Sequence, residues 1–199
     1  YIPPSERGAI FVPGILGGAS WAGAAADPET GRLFVPSVTF PMYATIKRNE
    51  VAGSPFDYVG ALEFGPTGPE GLPLLKPPYG RITAIDLNTG DHVWMSAVGD
   101  GPRDHPLLKD LNLPRLGWSF RNFPLLTRTL LFAAHQSEWK VRGNSPRDNA
   151  AEVEYERRGT FLWAFDKDTG EQLAEIPLPG SANGSPITYL AGGKQFILV

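Results

Sequence analysis

Residues 82–94 read ITAIDLNTGDHVW, and residues 162–174 repeat the pattern as LWAFDKDTGEQLA. Both copies contain Ala-x-Asp-x-x-Thr-Gly after an alternating segment, and the alternation places Ile82 and Ala84 on the same face of a strand. The Asp carboxylate can cap the turn that follows, and the Gly supplies the positive φ that a short turn needs. Each copy therefore predicts a β-hairpin, with return strands at 92–95 and 172–175.

Hairpins of a second kind are predicted at residues 24–35, 123–133 and 186–198, where small and apolar residues flank turn residues. We interpret hairpins of the first kind as the outer hairpins of propeller blades and those of the second kind as the inner hairpins. Along the chain they follow the order inner, outer, inner, outer, inner. Radial repetition of such pairs is the economical explanation, so the sequence predicts an all-β fold. The predicted architecture is a partial β-propeller of about two and a half four-stranded antiparallel blades.

The repeat is longer than a common propeller blade. Asp86 and Asp166 are 80 residues apart, against roughly 40 to 50 residues in a typical blade. The excess predicts insertions at about 38–79 and 137–158 within one propeller segment that covers residues 1–199. Two and a half blades cannot close a ring, so we expect the remaining propeller blades to be partners of this chain.

The composition is typical of a globular protein with many turns: 42% of the 199 residues are hydrophobic, with 23 Gly and 20 Pro. Lys and Arg number 18 against 21 Asp and Glu, so the chain lacks the charge pattern of a nucleic-acid-binding protein. It has no Cys, which removes disulfides and thiolate metal sites. Because the chain starts at Tyr1 without a Met and ends inside a strand-like segment, we expect it to be part of a longer protein.

The segment from Ala84 to Trp94 resembles the tryptophan-docking repeat of the PQQ-dependent (quinoprotein) dehydrogenases, in which the Trp packs between neighbouring blades. Further segments resemble, in the same order, late blades of the membrane-bound glucose dehydrogenase branch of that family. They are residues 11–23 (FVPGILGGASWAG), 77–80 (PPYG), 184–189 (GSPITY) and 193–195 (GKQ). The resemblance covers most of the chain apart from the two insertions and identifies it as a C-terminal segment of an eight-bladed ring.

The resemblance implies a chemistry in which PQQ lies near the propeller axis against a calcium ion and takes a hydride from a sugar or alcohol hydroxyl. In such an enzyme the protein mainly positions the cofactor and the substrate and polarises their reacting groups, while the quinone performs the redox chemistry. The family's general-base Asp and most of its calcium ligands correspond to sequence upstream of Tyr1, so the chain offers no catalytic base and is expected to be inactive alone. The family expectation for the electron acceptor is a membrane quinone. The expected location is the periplasm, with any membrane anchor outside this chain.

The resemblance also nominates cofactor-binding residues. Gly18, Ser20 and Trp21 align with a Gly-Gly-x-Asn-Trp type segment whose Asn and Trp approach the quinone. The sequence departs from the family at two positions, because Ser20 replaces the amide and Ile15 stands where the glucose branch often has Asn. Packing in the core is the competing interpretation of Trp21, since aromatic side chains contribute strongly to burial.

Polar residues before the inner strands are further candidates for the rim of the cofactor site. Arg121 and Asn122 precede the second inner strand, and Asn183 precedes the third. The remaining residues that could suggest chemistry are predicted to be structural instead. They are the repeat residues Trp94 and Trp163, the turn residues Asp86 and Asp166, and the isolated histidines His92, His105 and His135.

A second class of function stays open. PQQ-like repeats also build noncatalytic propellers that act as protein-binding scaffolds, and the Ile15 departure and the long insertions are compatible with that role. The charged run from Arg142 to Arg158 mixes both signs and is predicted to be a solvated loop. Neither a glycine-rich phosphate-binding loop nor a Gly-x-Ser-x-Gly motif occurs, so nucleotide binding and acyl transfer have no support.

Overall fold

The computed structural model describes residues 2–64, 66–136 and 160–199, which form an all-β structure. The described ranges contain no helix that is long and apolar enough to cross a membrane. The strands are β1 (Ala9–Phe11), β2 (Ala25–Asp27), β3 (Arg32–Val38), β4 (Met42–Arg48), β5 (Tyr58–Phe64), β6 (Gly80–Asp86), β7 (His92–Ala97), β8 (Asn122–Leu126), β9 (Leu130–His135), β10 (Thr160–Asp166), β11 (Gln172–Leu178), β12 (Ile187–Ala191) and β13 (Lys194–Leu198).

Two antiparallel four-stranded sheets carry the repeat. The first blade has the order β2-β3-β6-β7, and the second has the order β8-β9-β10-β11. Ala84 pairs with Trp94 in the first blade, and Ala164 pairs with Ala174 in the equivalent register of the second. Strands β12 and β13 form a further hairpin. The prediction of inner and outer hairpins in an all-β partial propeller is confirmed.

The turns of the outer hairpins are capped as the sequence predicts. Asp86 accepts a hydrogen bond from the backbone N–H of Asn88 at 2.7 Å. Asp166 accepts hydrogen bonds from the backbone N–H groups of Asp168 and Thr169, both at 2.9 Å. These backbone hydrogen bonds lower the pKa of both carboxyls. Both aspartates therefore stabilise turns.

The core between the two blades is built from the faces that alternation predicts. Ile82 and Ala84 lie on the same face of β6 and are fully buried. From the second blade, Trp163 and Phe165 of β10 fill the same cluster. Trp163 also donates its indole N–H to the Glu175 carboxylate at 3.1 Å, which satisfies its buried polar atom.

Trp94 connects the blades at their outer strands. Its ring lies so close to Gly170 that a Cβ on this glycine would be 2.6 Å from the indole Cδ2. Ser96 donates a hydrogen bond of 2.6 Å to the Gly170 carbonyl oxygen. The packing of Trp94 between neighbouring blades is therefore confirmed, and Gly170 is required because a side chain here would occupy the space of the indole.

A buried ion pair lies in the same interface between the two blades, which we call the seam. The Lys167 ammonium is 2.6 Å from Asp27 Oδ2, and the two side chains are only 8% and 5% exposed. The hydrogen bond from Lys167 is the main reason that the pKa of Asp27 falls to about 2. Because the residues belong to different blades, the pair connects the end of β2 with the turn after β10. Beside it, Arg32 pairs with Asp168 at 2.7 Å.

The segment 38–79 contains regular structure that the sequence did not predict. Strands β4 and β5 form a hairpin and join β1 in a three-stranded sheet. At the turn of this hairpin the Asn49 amide donates to the Phe56 carbonyl oxygen at 2.9 Å, while the Phe56 side chain is exposed. The other predicted insertion, 137–158, lies outside the described residues.

Candidate functional site

The predicted Gly-Gly-x-Ser-Trp element lies in the connection between β1 and β2. Two short turns shape this connection, one closed by a hydrogen bond from Gly17 N–H to the Gly14 carbonyl and one from Gly23 N–H to the Ser20 carbonyl, at 2.9 and 3.0 Å. The Gly18 carbonyl accepts a hydrogen bond of 3.1 Å from the N–H of Val38 at the end of β3. The element is therefore anchored to the first blade.

Trp21 is 63% exposed, so most of its indole faces the outside of the described structure. Its ring contacts Phe123 of β8 with a centroid separation of 5.3 Å and a tilt of 55°. The neighbouring Ala22, in contrast, is buried in the cluster on the far face of the second blade. Within the described residues, Trp21 therefore presents a largely uncovered aromatic surface.

Arg121 joins the element to the second blade. Its guanidinium carbon lies 5.2 Å from the centroid of the Trp21 ring, within the range of a cation–π interaction. Its Nε donates to Ser20 Oγ at 3.2 Å, and its two terminal nitrogens donate to Gln136 Oε1 at 3.2 Å and to the Leu16 carbonyl oxygen at 3.4 Å. The structure thus brings Arg121 into contact with Ser20 and Trp21, which lie 101 and 100 residues earlier in the sequence.

Asn122 and His135 lie directly opposite each other on β8 and β9. Asn122 is 1% exposed and His135 is 5% exposed. The Asn122 amide donates to the Phe120 carbonyl oxygen at 3.1 Å, but its Oδ1 and the Nε2 of His135 have no hydrogen-bond partner among the residues that the structure describes. Burial lowers the pKa of His135 to about 4, so the imidazole is neutral at physiological pH.

The described structure therefore buries Asn122, the neighbour of Arg121 in the chain, and does not place it on the rim that the sequence predicts. Such unpaired buried polar atoms are unusual, because most buried polar side-chain atoms are paired. Asn183 is exposed, and it follows Ala182, whose N–H donates to the His135 carbonyl oxygen at 3.1 Å. Asn183 is thereby held near the end of β9.

The departures from the family pattern have clear local consequences. The Ser20 hydroxyl, at the position where the family resemblance implies an amide, accepts a hydrogen bond from Arg121. The Ile15 side chain is exposed and its N–H points at Met42 Sδ at 3.1 Å. Sequence reasoning did not nominate His135 or Gln136 for the site, since only the pairing of β8 with β9 brings them next to Asn122 and Arg121.

Another concave surface is present among the described residues. A groove of about 320 Å³, lined among others by Asp100, Arg103 and Trp118, lies in the connection between β7 and β8 and contains none of the predicted site residues. Within the ranges that the structure describes, no group of three or more His, Asp or Glu side chains is arranged to hold a metal ion. The cluster formed by Ser20, Trp21 and Arg121 is therefore the better candidate site.

The chain matches a known family over nearly its whole length. The family is described as "PQQ: Glucose/ethanol/alcohol dehydrogenase, beta-propeller domain", and its model matches residues 1–197. The chain is 26% identical to the quinoprotein glucose dehydrogenase of Escherichia coli (strain K12) and 27% identical to a probable quinate dehydrogenase (quinone) of Xanthomonas campestris pv. juglandis. Each match covers 100% of this chain and 25% of the relative, so the chain spans about a quarter of their length.

Solved structures show the same fold. A europium-containing methanol dehydrogenase matches 97% of this chain and 27% of its own, with a TM-score of 0.58 and 22% identity. The quinohemoprotein alcohol dehydrogenase from Comamonas testosteroni matches 96% of this chain and 23% of its own, with a TM-score of 0.53 and 20% identity. These likenesses support the assignment of the two four-stranded sheets as blades of a larger propeller.

Proposed function

We propose, from the premise that this chain belongs to the PQQ glucose/ethanol/alcohol dehydrogenase β-propeller family, that it forms part of a dehydrogenase that oxidises a sugar or alcohol hydroxyl by hydride transfer to PQQ. The observation that carries the proposal is the placement of Arg121 over the largely exposed indole of Trp21. Relatives named as glucose, glycerol and quinate dehydrogenases support the reaction class.

The residues of the cluster fit the chemistry of PQQ, a planar quinone that carries carboxylates. The indole of Trp21 supplies a flat aromatic surface for a planar ring. Arg121 supplies a positive charge, and Ser20 supplies a hydroxyl. The orphaned Oδ1 of Asn122 lies one residue away from Arg121. When bound, PQQ supplies the two-electron chemistry, and these side chains contribute binding and orientation.

We assign the nominated residues separable roles. Trp21 would supply an aromatic surface for the cofactor, Ser20 would supply a hydrogen-bond donor, and Gly18 would allow close approach because it has no side chain. Asn122 and Asn183 line the deeper and the outer parts of the same site. A general base for the substrate hydroxyl and the ligands for calcium are expected on other segments of a longer protein.

The remaining parts of the proposal follow from the family and from the relatives' names. Two relatives are named as quinone-linked quinate or quinate/shikimate dehydrogenases, which supports a membrane quinone as the electron acceptor. The periplasm is then the expected location, with any membrane attachment outside this chain. The remaining blades are the partners that the outer faces of this segment require.

Reconstitution of the complete protein that contains this chain tests the proposal. Apoprotein is incubated with PQQ and calcium, and dye reduction is measured with a panel of aldoses, alcohols and hydroxy acids. Turnover that requires both PQQ and a substrate is the expected result. If the protein binds no PQQ and reduces no dye, the noncatalytic scaffold becomes the better explanation of the same propeller.

A further inference from the structure

The charge of Arg121 is not neutralised within the described ranges. Its three acceptors are a hydroxyl, an amide oxygen and a backbone carbonyl oxygen, all uncharged. No carboxylate of residues 2–64, 66–136 or 160–199 lies in salt-bridge range of it. In contrast, Lys167, Arg32 and Arg103 each pair with an aspartate. Among the described residues, Arg121 is therefore a half-buried cation without a carboxylate partner.

The hydrogen bonds of Arg121 leave donors available. A guanidinium has five N–H groups, and three donate to Ser20, Gln136 and Leu16, so two have no acceptor among the described residues. Ser20 Oγ accepts from Arg121, which leaves the hydroxyl proton free to be donated in turn. Two N–H groups and one O–H group thus lie beside the exposed ring of Trp21.

This donor set is suited to a carboxylate. The planar guanidinium fork matches the two oxygens of a carboxylate, and charge-assisted hydrogen bonds are roughly twice as strong as neutral ones. The existing contacts hold the guanidinium in one orientation, which lowers the entropy cost of binding. Because the guanidinium lies over Trp21, the site favours a carboxylate on a ligand whose ring can lie on or beside the indole.

We propose that Arg121, with Ser20, is a carboxylate receptor beside Trp21 in the cofactor and substrate site. The inference rests on the proposed function and deepens it. A carboxylate can come from two sources here, from PQQ itself or from a ring-shaped hydroxy-acid substrate. The first source makes Arg121 a determinant of cofactor affinity, and the second makes it a determinant of preference for acidic over neutral substrates.

Two variants and a control separate the sources in the complete protein. Arg121→Gln removes the charge, and Arg121→Lys keeps the charge but loses the planar fork. Arg128→Gln removes an exposed cation from the turn between β8 and β9 and serves as the matched control. Ser20→Ala removes the hydroxyl without removing the guanidinium, so it remains informative if the Arg121 variants fold poorly.

The first arm titrates PQQ into each apoprotein and follows tryptophan fluorescence to obtain Kd. The second arm measures kcat/KM for D-glucose and D-glucuronate, which differ by a carboxylate in place of a hydroxymethyl group, and for quinate. A charged hydrogen bond contributes enough that Arg121→Gln should cause an effect of about 10- to 100-fold. Arg121→Lys should recover only part of it, and Ser20→Ala should cause a smaller loss in the same arm.

A rise in the Kd for PQQ identifies the cofactor as the source of the carboxylate. A fall in the ratio of acidic to neutral kcat/KM, with the Kd for PQQ unchanged, identifies the substrate. If wild type binds PQQ while Arg121→Gln leaves both the Kd and any measurable ratio unchanged, the receptor is overturned but the proposed function stands. If wild type neither binds PQQ nor turns over any substrate, the proposed function and the receptor both fail.

Discussion

The indole nitrogen of Trp94 donates a hydrogen bond of 3.1 Å to the backbone carbonyl oxygen of Lys167, 73 residues later in the chain. The side chain of the same lysine turns toward Asp27 of the first blade and pairs with it. The turn after β10 is therefore held by the first blade through both its backbone and its side chain. The stability of this seam should depend on a small number of identifiable contacts.

Gly170→Ala should destabilise the protein more than Gly90→Ala. Both glycines have positive φ, of 75° and 81°, so both substitutions carry a backbone strain of about 1–2 kcal/mol. Only at Gly170 does the added Cβ meet the Trp94 ring, whereas nothing lies within 4 Å at Gly90. The additional cost at Gly170 is about 1–3 kcal/mol. Denaturation midpoints of the two variants measure the difference, and equal midpoints would contradict a tight Trp94 contact.

Lys167→Met should destabilise the protein by about 3–5 kcal/mol, because it leaves the Asp27 carboxylate buried without its cation. The double variant Asp27→Asn with Lys167→Met should cost less than the sum of the two single variants. A double-mutant cycle on denaturation free energies measures this coupling. Strictly additive costs would show that the pair does not contribute across the seam.

The same pair predicts a sensitivity to acid. Since the pKa of Asp27 is lowered from 3.8 to about 2, its stabilising contribution is complete above about pH 4 and is lost as the pH falls toward 2. Denaturation of wild type as a function of pH, compared with Asp27→Asn, isolates this contribution. The two curves should converge below pH 2, and parallel curves down to that pH would exclude it.

His135 should make stability depend on pH in a milder range. Its pKa falls from 6.5 to about 4 through burial, so between these values the unfolded chain binds a proton that the folded chain does not. Stability is therefore lost as the pH falls from about 6.5 to 4, by up to about 3 kcal/mol. His135→Phe retains a flat ring against Trp163 and should weaken this dependence. An unchanged pH profile in the variant would refute the assignment.

Trp21→Leu should weaken PQQ binding about 3- to 10-fold, because it replaces the aromatic surface while retaining an apolar side chain. Phe56→Leu is the control, since Phe56 is an equally exposed aromatic residue on the turn between β4 and β5. Titration of apoprotein with PQQ measures both. If the two variants bind PQQ equally well, Trp21 is not part of the cofactor site.

The hairpins could be predicted from the sequence because their signals are local. Residues 82–94 contain both strands, the capping Asp86 and the turn Gly90, so alternation and turn chemistry agree within a short segment. Strands β4 and β5 were missed because Pro and Gly flank them and because β4 pairs with β1, more than 30 residues away. Contacts of that kind depend on tertiary packing, which local periodicity does not report.

The candidate site could be predicted only in part for the same reason. The family resemblance nominated Ser20 and Trp21, and position before a strand nominated Arg121. Their contact with one another depends on how two blades stack, and no spacing in the sequence encodes it. The burial of Asn122 against His135 likewise follows from the register of β8 and β9.

The seam at Trp94 joins two unlike surfaces, an indole from one repeat and a glycine-lined notch on the next. Repetition of the unit repeats both surfaces, so the same contact can join successive neighbouring blades. In the second blade, Ala174 occupies the position equivalent to Trp94, so that unit keeps the notch and lacks the indole. The unit that packs against the second blade at this position must therefore be held by other contacts. The regular repetition of the indole-to-glycine contact ends at this blade.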